Sequence, residues 1–144
     1  MSTVVEPRRA SRQPVMEVPA ERGRGTALRL LGATAVLVVG GVHLEQYFGV
    51  HFRVVPVIGP LFLLNFIGSV LIGVGLFLPL HRLHPLLALG GIAVGVVSIV
   101  FLELSEHGGI FGFQDYGYRT AIVVALAAEA AAAVLLSAYL VLRR

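Results

Sequence analysis

Four long apolar segments, at about residues 27–48, 54–80, 83–104 and 119–142, fill nearly everything after residue 27 of this chain. Each reaches the ~20 residues that a helix needs to cross ~30 Å of hydrocarbon. The solvent of such a chain is lipid. A water-soluble fold would have to hide four helices of this kind, whereas one compact membrane domain accounts for all of them. The expected fold class is therefore all-α: a polytopic membrane protein built as a four-transmembrane-helix bundle.

Charge placement orients it. All 11 basic residues other than histidine are arginines. Arg8, Arg9, Arg12, Arg22, Arg24 and Arg29 lie before or at the start of the first segment, Arg82 lies in the second turn, and Arg143 and Arg144 end the chain. By the positive-inside rule these mark the cytoplasmic face, leaving Arg53 and Arg119 outside, so both termini are expected to be cytoplasmic. The expected location is the plasma membrane of a bacterium, with the chain crossing it several times. At 57% hydrophobic and 13% charged residues, the chain lies well outside the soluble range, in which charged residues approach a quarter. The absence of cysteine excludes disulfides, thiolate chemistry, iron–sulfur clusters and covalent haem attachment.

Residues 1–26 carry Pro7, Pro14 and Pro19 among arginines, glutamates and small residues. They lack the apolar content for a core and are expected to form a disordered basic cytoplasmic tail. Glu6, Glu17 and Glu21 interleave with the arginines and no aromatic is present, which argues against nucleic acid as a partner and for anionic lipid headgroups. The first apolar run is too long for a signal peptide and is expected to remain as an anchor. Pro56 and Pro60 suit the opening turn of helix two, Pro79 ends it, and Pro85 opens helix three. The segment from Ser105 to Tyr118 mixes four glycines with aromatics, as in a loop that dips rings into the membrane interface.

Few residues carry chemistry. Glu129 lies about ten residues past Arg119 and so ~15 Å deep, where an acid costs on the order of 2–3 kcal/mol to insert. It must face protein, and Ala125, Ala132 and Ala133 give its helix a small-residue face for close approach. It reads either as a proton- or cation-binding carboxylate or as a neutral acid making one interhelical hydrogen bond. Asn65, ~13 Å deep by helical rise from Pro56, reaches a similar level, and Ser69 and Gly73 continue its face. His43 and Tyr47, one turn apart on helix one, complete a candidate intramembrane polar cluster of Glu129, Asn65, His43 and Tyr47. Interhelical packing alone would justify the asparagine and the histidine; a histidine beside a carboxylate would also relay protons.

A second group, Glu103, Glu106, His107, Asp115 and Arg119, forms a candidate outer mouth. Rim charges are ordinarily just solvated, and the Glu103/His107 spacing alone does not specify a metal. Haem ligation by His43 and His107 lacks paired histidines at like depth. No metal, cofactor or catalytic residue is assigned. Gly91 and Gly95 form a Gly-x-x-x-Gly that permits close helix contact.

The runs His43-Leu44-Glu45-Gln46-Tyr47, Ile58-Gly59-Pro60-Leu61-Phe62-Leu63-Leu64-Asn65, Gly109-Ile110-Phe111-Gly112-Phe113-Gln114 and Ala127-Ala128-Glu129-Ala130 together resemble those of small four-helix integral membrane proteins of actinobacteria. The resemblance implies the topology and brings no activity or ligand. The layout is also similar to that of DoxX-like membrane proteins. The leading expectation is a non-enzymatic accessory or scaffold subunit that packs against itself or another membrane protein through its Gly/Ala faces. The alternative is a small-molecule carrier or proton-coupled binding protein using Glu129, with a cavity opening outward under the glycine-rich loop. A third reading is an oxidoreductase subunit binding haem or quinone.

Overall fold

A computed structural model describes residues 19–114 and 116–143. The described chain is all-helical: α1 (Pro19–Gly49), a single 3-10 turn (Phe52–Val54), α2 (Ile58–Phe77), α3 (His84–His107) and α4 (Thr120–Leu142). All four α-helices are long and apolar enough to cross a membrane. Leucines, valines and isoleucines such as Leu31, Leu64, Leu71, Leu86, Val97 and Val134 cover the outside. A belt of that size around a bundle is a surface made for lipid.

The helix limits differ from the sequence expectation most at the starts of α1 and α2; α2 also ends at Phe77 rather than near 80, and α3 runs on to His107. The tail expected at residues 1–26 falls mostly outside the described residues, but 19–26 are helical and extend α1 to 31 residues. The apolar run marks where hydrocarbon begins, and a helix need not end there. α2 opens at Ile58 rather than near residue 54, because the chain first makes the 3-10 turn and then a tight turn at Val57 (φ 67°, ψ −51°), closed by Ile58 N–H donating to the Pro56 carbonyl at 2.8 Å. That turn is the strained γ form. It swings α2 so that Gly59 lies against the Phe52 and Arg53 carbonyls, where a Cβ would come to 2.8 and 3.0 Å.

Each helix packs on its two sequence neighbours, and α4 closes the ring on α1, while α1 and α3 barely meet across the middle. The helices therefore alternate up and down, which puts the start of α1 and the end of α4 at one end of the bundle. That basic end carries Arg29, His81, His84 and Arg143. The opposite end carries the α1–α2 connection and a hairpin in the α3–α4 loop.

The two halves of the interior are unlike. At the basic end Ala33 and Val36 of α1, Leu76 of α2, Ala88 of α3, and Ala132, Leu136 and Tyr139 of α4 form a dense apolar core. Small residues make it tight: a Cβ on Gly91 would meet Leu136 at 2.6 Å and Val36 at 3.1 Å, and one on Gly73 would meet Leu37 at 2.6 Å. Close approach of this kind is the main source of association where lipid offers no hydrophobic gain. The helix ends here are also tied. The guanidinium of Arg29 donates to the Leu76 carbonyl and lies 3.4 Å from Nε2 of His84, whose ring also contacts the Leu78 carbonyl at 2.9 Å. Carbonyls left open by the end of α2 thus find cationic or donor partners. His84 is buried, not turned to headgroups, because it fills this space under the turn. Arg143 reaches across to the His81 carbonyl at 3.1 Å.

Candidate functional site

Toward the hairpin end the core gives way to a cavity of about 350 Å³ walled by all four helices. A side-chain chain forms its floor. The hydroxyl of Ser69 donates to Oδ1 of Asn65 at 3.1 Å, and Nδ2 of Asn65 donates to Oγ of Ser98 at 2.6 Å. Ser98 in turn shares a side-chain hydrogen bond with Glu129. The order Ser69, Asn65, Ser98, Glu129 runs from α2 through α3 to α4. It separates the dense half of the bundle from the hollow half.

Glu129 can sit here because α3 comes unusually close to α4 beside it. A Cβ on Gly95 would lie 2.9 Å from the Glu129 carbonyl oxygen. The side chain is 2% exposed, and its Oε2 has no hydrogen-bond partner among the described residues. Above it, His43 and Gln46 of α1 line the cavity. The His43 ring uses Nδ1 on the Val39 carbonyl at 2.9 Å, which fixes Nδ1 as the protonated nitrogen and leaves Nε2 as an acceptor. Gln46 is 5% exposed; its amide nitrogen binds the Glu45 carboxylate, and its Oε1 has no partner among the described residues.

Phe52 and Phe113 cap this chamber. Phe62 stands 5.0 Å from the His43 ring and 5.1 Å from Phe52, and Phe113 meets Phe52 edge-on at 5.4 Å. These spacings suit aromatic pairs. Arg119 lies over the Phe52 ring at 5.7 Å. Phe113 is held down by a two-residue hairpin: Ile110 and Phe113 exchange backbone hydrogen bonds of 2.7 and 2.8 Å around Phe111 (φ 51°) and Gly112 (φ 74°). Both central residues are left-handed, as a type I′ turn requires.

Of the expected cluster, Glu129, Asn65 and His43 line one cavity, and Tyr47 does not: its ring packs edge-on against Phe48 instead. Four helical steps overshoot a full turn by about 40°, so the inward row of α1 continues from Val39 and His43 to Gln46. Glu129 and Asn65, expected at like depth, are joined through Ser98, which stands between them. Ser98 and Gln46 are the residues that sequence reasoning missed. Ser98 follows Gly91 and Gly95 at three- and four-residue spacing, and that periodicity was the available signal.

The outer-mouth residues are parted. Glu103 pairs with His107 at 3.5 Å and accepts from the Tyr118 hydroxyl at 3.1 Å. Glu106 accepts from the Gly117 amide at 3.0 Å. These contacts staple the α3–α4 loop to the end of α3. Loss of hydration, then the bond to Glu103 and the charges of Glu103 and Glu106, push the Tyr118 phenol above its ordinary value. Arg119 turns to Phe52, and Asp115 lies outside the described residues. Among the described residues no three His, Asp or Glu side chains come together as a metal site.

No family model, curated protein or solved structure matches this chain. Function has to be argued from the cavity.

Proposed function

We propose that this chain is a multi-pass protein of a bacterial plasma membrane, with both termini cytoplasmic, that binds a small molecule between its helices. It belongs, in this reading, with the small four-helix membrane proteins of actinobacteria that its motifs resemble. The observation that carries the proposal is the cavity itself. A bundle whose basic half has a densely packed core keeps about 350 Å³ open in its other half, within the ~300–1,000 Å³ range of small-molecule sites. The lining fits that use: mostly apolar and aromatic, with a few converging polar groups on a fixed frame.

The scaffold reading rested on Gly/Ala faces free to meet other proteins. Gly40, Gly73, Gly91 and Gly95 close instead on this chain's own helices. The bilayer remains the partner that the exposed apolar belt calls for, and no enzymatic step is assigned.

Native mass spectrometry of the protein extracted gently from its own membrane tests the proposal. A stoichiometric small-molecule adduct is expected, and Ala125→Leu, which places a larger side chain in the wall, should reduce it. Bare wild-type subunits, or subunits carrying only another protein, would refute the binding reading.

A further inference from the structure

The cavity has a side that is not closed by protein. Its wall on α2 and α3 includes Leu64 and Val97, which are 63% and 53% exposed on the outer, lipid-facing surface of the bundle. α2 and α3 form the thinnest contact of any neighbouring pair. Contacts that join them lie in the basic half and at the cavity floor. Leu87 packs over Gly75, Ile72 over Gly90, and Asn65 bonds to Ser98. The aqueous end, by contrast, is covered by Phe52 and Phe113.

Among the described residues, the buried side-chain atoms that line the cavity without any hydrogen-bond partner share one character. Oε2 of Glu129 and Oε1 of Gln46 lie buried without partners among the described residues, and His43 presents Nε2 after committing Nδ1 to Val39. A carboxyl keeps acceptor capacity in either protonation state, the amide oxygen is an acceptor outright, and Nε2 accepts in the neutral ring. The hydroxyl of Ser98 is already engaged with Glu129. A site that offers acceptors calls for a ligand that brings donors.

We propose, resting on the binding reading above, that the ligand is a membrane-dissolved amphiphile with a neutral hydroxyl head, of the lipid alcohol or phenol class, which enters sideways from the bilayer between α2 and α3. Its hydroxyl donates to the acceptors above the Asn65–Ser98 floor. The cavity holds the head and the first part of the apolar body, and the rest lies in lipid along Leu64 and Val97. A single buried acid among neutral acceptors suits a hydroxyl better than a cation, which would bring a full charge into a mainly apolar chamber.

The test uses the full chain in lipid nanodiscs and three photoreactive probes of equal chain length: a long-chain alcohol with a mid-chain diazirine, its methyl ether, and the corresponding primary amine. The alcohol is expected to label α2 and α3 residues bordering Leu64 and Val97. The ether, which lacks the donor, should label there at least tenfold less, and Leu64→Trp and Val97→Trp should each reduce labelling by the alcohol several-fold. Equal labelling by alcohol and ether would overturn the hydroxyl assignment, and stronger labelling by the amine would overturn the neutral head. Labelling at the cavity that neither tryptophan reduces, with circular dichroism unchanged, would overturn the lateral route. Each of these failures would leave the binding reading standing if the native mass spectrum still shows an adduct. A cavity holding only water, with a bare native mass and no labelling by any probe, would overturn both.

Discussion

Gly95 offers the sharpest test of how this bundle holds its acid. A Cβ there would stand 2.9 Å from the Glu129 carbonyl oxygen and 3.5 Å from its carbonyl carbon. Both atoms belong to the backbone of the facing helix and cannot rotate aside. For the contact to relax to an ordinary 3.4 Å, α3 and α4 must separate locally by about 0.5 Å, and overpacking of that kind costs ~1–3 kcal/mol. Against this stands the helix preference of alanine over glycine, ~1 kcal/mol. Gly68, in the middle of α2, has nothing within 4 Å of its would-be Cβ, so Gly68→Ala keeps the propensity gain without the clash. The difference between the two variants isolates the contact. Gly95→Ala should be less stable than Gly68→Ala by ~1–3 kcal/mol, read from unfolding by mixed-micelle titration followed by circular dichroism. Gly91→Ala should fall between them, because the atom in its way, Cδ1 of Leu136 at 2.6 Å, ends a flexible side chain. Equal stability of Gly95→Ala and Gly68→Ala would refute the claim that α3 and α4 meet backbone to backbone at Glu129.

The floor chain should show coupling: a double-mutant cycle of Asn65→Ala and Ser98→Ala is expected to give ~0.6 kcal/mol, a usual value for an interhelical hydrogen bond, and additivity would mean that the 2.6 Å bond contributes nothing. Glu129→Leu removes the acceptor and should weaken retention of the native ligand about tenfold or more, while Glu129→Gln, which keeps one acceptor oxygen, should lose less; native mass spectrometry at graded detergent concentrations reads both. Phe111→Asn puts a residue suited to the left-handed region (φ 51°) into the hairpin turn and should stabilise the loop by ~0.5–1 kcal/mol, measured as slower amide exchange at Ile110 and Phe113. The Tyr118 phenol should titrate above an ordinary tyrosine and move back toward it in Glu103→Gln, checked by ultraviolet difference spectra against Tyr118→Phe.

The four helices were legible in the sequence because their signal is length and hydropathy, which need no knowledge of packing. Depth along a helix was equally readable, and it placed Glu129 and Asn65 near one level. Which residue bridges them was not, since a serine is ordinary in a transmembrane helix and Ser98 gains meaning only when α3 is seen between α2 and α4. Tyr47 shows the opposite limit. A shared face at four-residue spacing suggested a common cavity, but the drift of the helix passed that place to Gln46. The cover formed by Phe52 and Phe113 depends on contact between segments about sixty residues apart, beyond any local pattern.

The tie between Arg29, the Leu76 carbonyl and His84 fixes α2 and α3 at the basic end, and the Asn65–Ser98 bond ties them again part-way along. Two rods held at one end and part-way along are softest at the other end, where they can splay. Lipid tails press on such a pair from both sides, so the width of the gap becomes a mechanical reading of the surrounding bilayer: wider where chains are fluid and crowd less, narrower where they are ordered. Exchange through the gap would then follow membrane composition and temperature even if no group on the protein changed its charge.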